Sequence, residues 1–268
     1  TYSKEANISL RQLPVIQRNK RVKMIAKIEM QLNCDTVNYR NSSNLQGVIM
    51  ENIDTGYADF LHQQGLNPYS QYVHKKEGKT YWCICTLDNE SYEQIITRFM
   101  NSKFDRFAIK NDSETIKIVK KSLVTRDESE LMNQFYNESG QKYYDVEFIT
   151  PTSFKSNGRY MIYPDLGMIY RSLMKKYSIV SEQNMYDEDT LEQLVNYSNI
   201  TRYRLQSTLF PLEGVVIPSF KGNISVRIHG SDTMSRYARL LLSFGEYSGV
   251  GIKSSIGMGA IKLGRMEG

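Results

Sequence analysis

Hydrophobic positions along the chain follow two periods in turn. Residues 22–32 place Val22, Met24, Ala26, Ile28, Met30 and Leu32 on alternate positions, with Lys23, Lys27, Glu29 and Gln31 between them. A period of two predicts a strand with one buried face. After a turn-like stretch at 38–43, residues 45–53 and 57–62 change to helical spacing, with Leu45, Val48, Ile49 and Ile53 on one side. Residues 69–74 and 80–87 are short β-rich runs around Gly78 and predict a hairpin. Residues 91–100 return to the helical period through Tyr92, Ile95, Ile96 and Phe99, and 106–109 with 115–119 supply further strands.

The same succession begins again after Ser139-Gly140. Residues 143–149 predict a strand, 165–177 a helix with Met168, Ile169, Leu173 and Met174 inward, and 187–197 a helix entered through acidic residues suited to its N-terminal dipole. Residues 215–228 are β-rich, 233–244 helical, and 258–263 close the chain as a strand. A β-α-β-β-α-β order therefore appears twice, with no sequence repeat behind it. A length of 268 residues accommodates two such units. The predicted division is 22–139 and 140–268, with residues 1–21 left outside as an N-terminal extension.

Composition adds limits. Hydrophobic residues at 40% and charged residues at 24% describe an ordinary globular chain. The balance of 34 Lys+Arg against 29 Asp+Glu, net +5, permits a polyanionic partner but is far from histone-like. Cys34, Cys83 and Cys85 form no C-x-x-C pair and have no nearby histidine cluster, so neither a metal site nor a disulfide framework is expected, in keeping with a reducing cytoplasm. No apolar run approaches the ~20 residues that cross a bilayer, and no membrane partner is expected.

The most specific local feature is FGEYSGVGIKSSIGMG at 244–259. Glycines let backbone amides approach a ligand where a Cβ would block it, and successive inward amides form an anion-binding nest. Gly249, Gly251, Gly257, Lys253, Ser254 and Ser255 are the candidate phosphate-binding residues. Ile252 stands where a P-loop requires glycine, and no G-x-G-x-x-G frame fits, which argues against ATP and dinucleotides. A glycine-rich turn joining a helix to a last strand is the plain alternative. For proton transfer near neutral pH the chain offers three histidines, His62, His74 and His229. His62 precedes the polar, turn-rich segment 63–68, where a side chain can meet a ligand. His74 reads as a solvated strand end beside Lys75 and Lys76, and His229 as structural.

The pattern G-x-G-x-K-[ST]-[ST]-x-G-x-G after a helix ending in FGE closely resembles the C-terminal glycine-rich loop of the CRISPR repeat-processing endoribonucleases, the Cas-six family. The resemblance extends over residues 22–263, through Leu45-Gln46-Gly47-Val48, Phe60-Leu61-His62, Thr150-Pro151-Thr152-Ser153-Phe154-Lys155, Tyr163-Pro164-Asp165 and Ile217-Pro218-Ser219-Phe220-Lys221-Gly222. It is greatest to the branch serving multisubunit type III systems. It implies an α+β fold of two tandem ferredoxin-like (RRM-like) domains, cleavage of pre-crRNA by ribose 2′-OH attack to give a 2′,3′-cyclic phosphate, and no cofactor or metal. The implied partners are repeat RNA rather than DNA, and a guide-RNA effector complex.

In L-H, His62 matches the family's catalytic histidine. Lys75, which follows the histidine segment, is the expected cation at the reacting phosphate, with Lys76 beside it. The chain departs from the family in having Met50 where many members place a tyrosine, and no lysine near Asn67. Lys155, Arg171, Arg159, Arg202 and Arg204 are further expected RNA contacts. A catalytically silent RNA-binding subunit with the same fold is the alternative, and His62 discriminates between the two.

Overall fold

The computed structural model describes residues 23–110, 114–181, 186–212 and 214–264; Val22 and the extension at 1–21 lie outside the described residues. The first half contains β1 (Met24–Leu32), α1 (Ser42–Asn52), α2 (Thr55–Gln63), β2 (Tyr69–Lys76), β3 (Lys79–Thr86), α3 (Asn89–Ser91) continued through a π turn into α4 (Thr97–Met100), β4 (Arg106–Ala108) and β5 (Thr115–Asp127). Its sheet runs β2-β3-β1-β5-β4. Without the short edge strand β4, this is the antiparallel ferredoxin-like order. Ile28, Met30, Trp82 and Ile84 face α1 and the α3–α4 helix on one side of it.

The second half contains α5 (Glu128–Asn137), β6 (Tyr143–Thr152), the small hairpin β7 (Phe154–Ser156) and β8 (Arg159–Met161), α6 (Leu166–Val180), α7 (Glu188–Asn196), β9 (Ser198–Leu212), β10 (Val215–Ile228), α8 (Asp232–Ser248) and β11 (Ile261–Gly264). Its sheet order β11-β6-β10-β9 repeats the ferredoxin-like pattern. The halves share a core. Ile25, Tyr72, Cys83 and Cys85 project from the rear of the first sheet into the cluster that holds Phe148, Leu173, Leu241 and Phe244. Among the described residues no helix is long and apolar enough to cross a membrane.

Four elements differ from the sequence reading. β5 continues to Asp127, well past 119, by pairing along β1 from Gln31↔Lys120 to Met24↔Asp127; this outer part has no fully buried residue to mark it in the sequence. α5 was not anticipated: Leu131 is its buried residue, and it starts from an Asp127 side-chain cap on the Glu130 amide at 2.8 Å. β9 was also not anticipated. Of its 15 residues only Ser198 and Phe210 are buried, so its order comes from pairing along β10, from Ser198↔Ile228 to Leu212↔Val215. β11 starts at Ile261 rather than 258, since Gly259 at φ 72 is not in extended conformation.

Candidate functional site

His62 lies in the last turn of α2, whose start is capped by Asp54 accepting from the Tyr57 amide at 3.1 Å. Tyr57, Ala58 and Leu61 hold this helix on the core, and His62 is exposed beyond them. Five residues later Asn67 Nδ2 donates to Ser255 Oγ at 3.1 Å. A five-residue segment spans at most about 18 Å, so the His62 segment and the glycine-rich loop share one neighbourhood. Tyr69, at the start of β2, completes the junction. It is buried, its hydroxyl accepts from Gln46 Nε2 at 3.3 Å and also bonds Ser255. Burial pushes that phenol up to about 12, so it stays protonated.

The glycines shape the loop but do not themselves supply the nest. Gly251 N donates to Ser172 Oγ at 2.9 Å, Gly259 N to Pro151 O at 3.0 Å and Val250 N to Gly259 O at 2.8 Å. A Cβ on Gly251 would stand 2.3 Å from Ser153 O, and one on Gly259 1.9 Å from Val250 O. Gly257 packs against the Ser42 side chain at the start of α1. Gly249, at φ 64, ends α8.

The amides left over belong to Lys253, Ser254 and Ser255, which have no acceptor among the described residues. Lys253 is left-handed (φ 58, ψ 32) and leads into the 3-10 turn Ser254–Ile256. A left-handed residue followed by a right-handed one aims successive N–H groups into one concavity. The exposed Lys253 side chain adds a positive charge there.

Both serine hydroxyl oxygens have partners within the protein. Ser255 Oγ is held by Asn67 and Tyr69, and Ser254 Oγ accepts from Lys176 Nζ at 3.0 Å. Lys176 also donates to Ser248 O and Gly249 O, each at 3.1 Å. It is 3% exposed, and burial brings its ammonium down to about 7. Sequence reasoning missed Lys176. The signal was its place on the apolar stripe Ile169, Leu173, Lys176, Tyr177 of α6, where a charge is out of keeping with its neighbours.

Lys75 lies elsewhere. It is six residues along β2 from Tyr69, about 20 Å at the strand rise, and lines a cleft of about 760 Å³ between the halves, with Lys27, Lys76, Lys221 and Lys262. His62 is not in that lining. His74 is in the cleft floor rather than at a solvated strand end. It bonds Glu29 Oε2 at 3.2 Å, stacks on Tyr81, and burial lowers its pKa despite the carboxylate.

Glu29, His74 and Cys83 bring three ligand atoms within 4.8 Å of one another. Burial holds the Cys83 thiol well above its ordinary pKa, and the Lys27 charge adjoins it; both oppose a cation. His229 is exposed just after β10, its amide donating to Tyr197 O at 2.9 Å and its ring edge-on to Tyr197 with centroids 6.0 Å apart.

The remaining expected contacts are spread over the second half. Lys155, on β7, is exposed with Nζ 5.9 Å from the centre of the Tyr160 ring, and Arg159 is exposed on β8. Arg171 pairs with Glu188 at 2.8 Å. Arg202 and Arg204 lie on β9 around a separate hollow with Tyr203. The β9–β10 hairpin reaches the loop, where Phe210, Ile217 and Met258 form a small core with Ile252 and Ile256 against it.

The model of the family CRISPR-associated endoribonuclease Cas6 matches residues 146–261, from β6 to the start of β11. The CRISPR-associated endoribonuclease Cas6 of Streptococcus thermophilus is 37% identical over 218 residues, covering 81% of this chain and 88% of that protein. The chain belongs to the Cas6 family. The Cas6 of Mycobacterium tuberculosis is 33% identical over 221 residues, covering 82% of this chain and 70% of that protein.

Among solved structures, a Cas6 product complex superposes with a TM-score of 0.75 at 16% identity, covering 90% of this chain and 100% of that one. Thermus thermophilus Cas6 gives 0.68 at 19% identity, covering 90% and 98%. At such identities these structures speak for the tandem ferredoxin-like fold alone.

Proposed function

We propose that this Cas6 protein is an endoribonuclease that cuts CRISPR repeat RNA into guide units without a metal ion. The ribose 2′-O forms a bond to the adjacent phosphorus as the P–O5′ bond breaks, leaving a 2′,3′-cyclic phosphate and a 5′-OH. The substrate supplies the nucleophile. The protein must hold the in-line geometry, move one proton from the 2′-OH and one to the leaving oxygen, and stabilise charge on the phosphorane.

The observation that carries this reading is the Asn67–Ser255 junction, which joins the segment after His62 to the Lys253–Ser255 nest. In the proposal His62 is the acid or base. The Lys253, Ser254 and Ser255 amides, with the Lys253 ammonium, receive phosphate oxygens. Lys75 and the other cleft lysines hold a flanking stretch of RNA rather than the reacting phosphate, and Lys155 and Arg171 are contacts of the same kind. Exchange of the product with a larger assembly belongs to the same reading; one structural neighbour is described as a partial Cas6-RT-Cas1--Cas2 complex.

The test is to incubate the protein with repeat RNA in EDTA and identify the new termini. Cyclic phosphate ends, together with loss of cleavage when the nucleotide 5′ to the scissile phosphate is deoxyribose, are the expected result. Intact RNA in EDTA with tight binding retained would favour the silent RNA-binding subunit.

A further inference from the structure

We propose that Lys176 is a positioning residue of the RNA-binding loop: its buried ammonium fixes the Lys253–Ser255 nest against the end of α8 and leaves the Ser254 O–H free to donate to a phosphate oxygen. This rests on the reading that the loop binds RNA phosphate. Three acceptors converge on one Nζ: Ser248 O and Gly249 O, where α8 ends, and Ser254 Oγ, at the first residue of the 3-10 turn. They match the three N–H donors of an ammonium. The contact ties both ends of the turn-forming segment 248–254 to α6, so the left-handed Lys253 stands on a fixed base.

The arrangement also sets the sense of the Ser254 hydroxyl. A charged Lys176 donates to Ser254 Oγ, and the single hydroxyl proton must then point elsewhere; Ser254 is half-exposed and borders the nest. An uncharged amine has two N–H donors, which remain with the two carbonyls, and a lone pair that takes the Ser254 proton as its hydrogen bond. The hydroxyl is then withdrawn from a ligand. Loss of one proton from Nζ to solvent therefore removes one phosphate donor from the nest.

No acidic side chain competes for this role. Among the described residues Lys176 has no ion pair, and Glu246, the acidic residue near this end of α8, turns to the Leu263 amide at 3.0 Å. On the facing elements the other titratable groups are Tyr247 on α8 and the exposed Lys253, with Lys175 and Tyr177 beside Lys176 on α6 itself. Burial, with no charged partner, accounts for the lowered pKa of about 7. The signs follow. RNA affinity falls as pH rises through about 7, because the hydroxyl donor is lost. Stability of the free protein changes in the opposite direction: the folded pKa is below the unfolded one, the unfolded chain binds more protons between those values, and stability rises from about 7 towards 10.5.

The test measures dissociation constants for a repeat RNA made uncleavable by a 2′-deoxy scissile nucleotide, from pH 6 to 8.5, on the full chain and on Lys176→Met, Ser254→Ala and Lys253→Ala. Lys176→Met and Ser254→Ala are each expected to weaken binding about tenfold at pH 6, in line with loss of a charge-assisted hydrogen bond, and to lose the component of the pH slope centred near 7. The double variant should be no weaker than the worse single one.

The proposal falls if folded Lys176→Met retains wild-type affinity and slope. Should Lys176→Met fail to fold, Ser254→Ala decides alone, and a wild-type pH slope in that variant overturns the proposal. If Lys253→Ala also binds normally, the loop reading itself fails; if only Lys253→Ala is weakened, the loop reading stands and the role given to Lys176 does not.

Discussion

Asn67 and Ser255, 188 positions apart in sequence, meet in a hydrogen bond of 3.1 Å from Nδ2 to Oγ. With the Tyr69–Ser255 bond beside it, it links the segment leaving α2 to the loop leaving α8, and so the candidate proton-transfer residue to the candidate phosphate nest. Asn67→Ala is expected to remove about 1 kcal/mol of stability, the ordinary net value of such a bond. The single-turnover cleavage rate should fall by a larger factor than the melting temperature suggests. Paired melts and single-turnover assays check this; an unchanged rate would show that the two segments need no direct link.

The loop glycines give a prediction of a different kind. Gly251→Val puts a Cβ 2.3 Å from Ser153 O at a φ of +72, and Gly259→Ala puts one 1.9 Å from Val250 O at the same φ. Backbone strain of this type costs about 1–3 kcal/mol before any clash is counted. Both variants should melt several degrees lower. Loss of RNA affinity should accompany the loss of stability, because the glycine amides face protein acceptors and the proposed phosphate nest rests on the backbone they hold. Thermal melts with RNA titrations on both variants check this.

Lys253→Ala and Lys75→Ala should differ in their effect. Lys253→Ala is expected to weaken repeat RNA binding and make the salt slope shallower by up to about one unit, since one neutralised phosphate releases roughly one counterion. Lys75→Ala should give a similar change in slope, as its charge faces the cleft, with a smaller effect on the chemical step than Lys253→Ala. A larger rate loss from Lys75→Ala would return that residue to the reacting phosphate. Salt titrations and single-turnover rates at saturating protein resolve the two.

Where apolar residues recur with a clear period, the fold was legible in the sequence: the alternation of β1 and the helical stripes of α1, α6 and α8 place both halves. It was not legible where order comes from pairing alone. β9 follows β10 with almost no buried side chain of its own, and the outer part of β5 is a lysine-rich strand whose polar face hides its period.

At the site, the glycine run and His62 stood out as residue types. Their relation did not, because it depends on Asn67, Tyr69 and Ser172, polar residues of no special composition that become informative only when the chain brings them to the loop. Lys75 shows the same limit from the other side. It is close to His62 in sequence, but the direction of β2 carries it away into the cleft.

The most direct test is the single-turnover rate of repeat RNA cleavage in EDTA for the wild-type chain and His62→Ala, with RNA affinity measured on the same preparations. Positioned proton transfer contributes typically ~10²–10⁴-fold to rate, so the variant should lose that factor while its dissociation constant stays within a few fold. A folded His62→Ala variant that cleaves within about threefold of wild type, far below that factor, would contradict the assignment of the chemical step to His62.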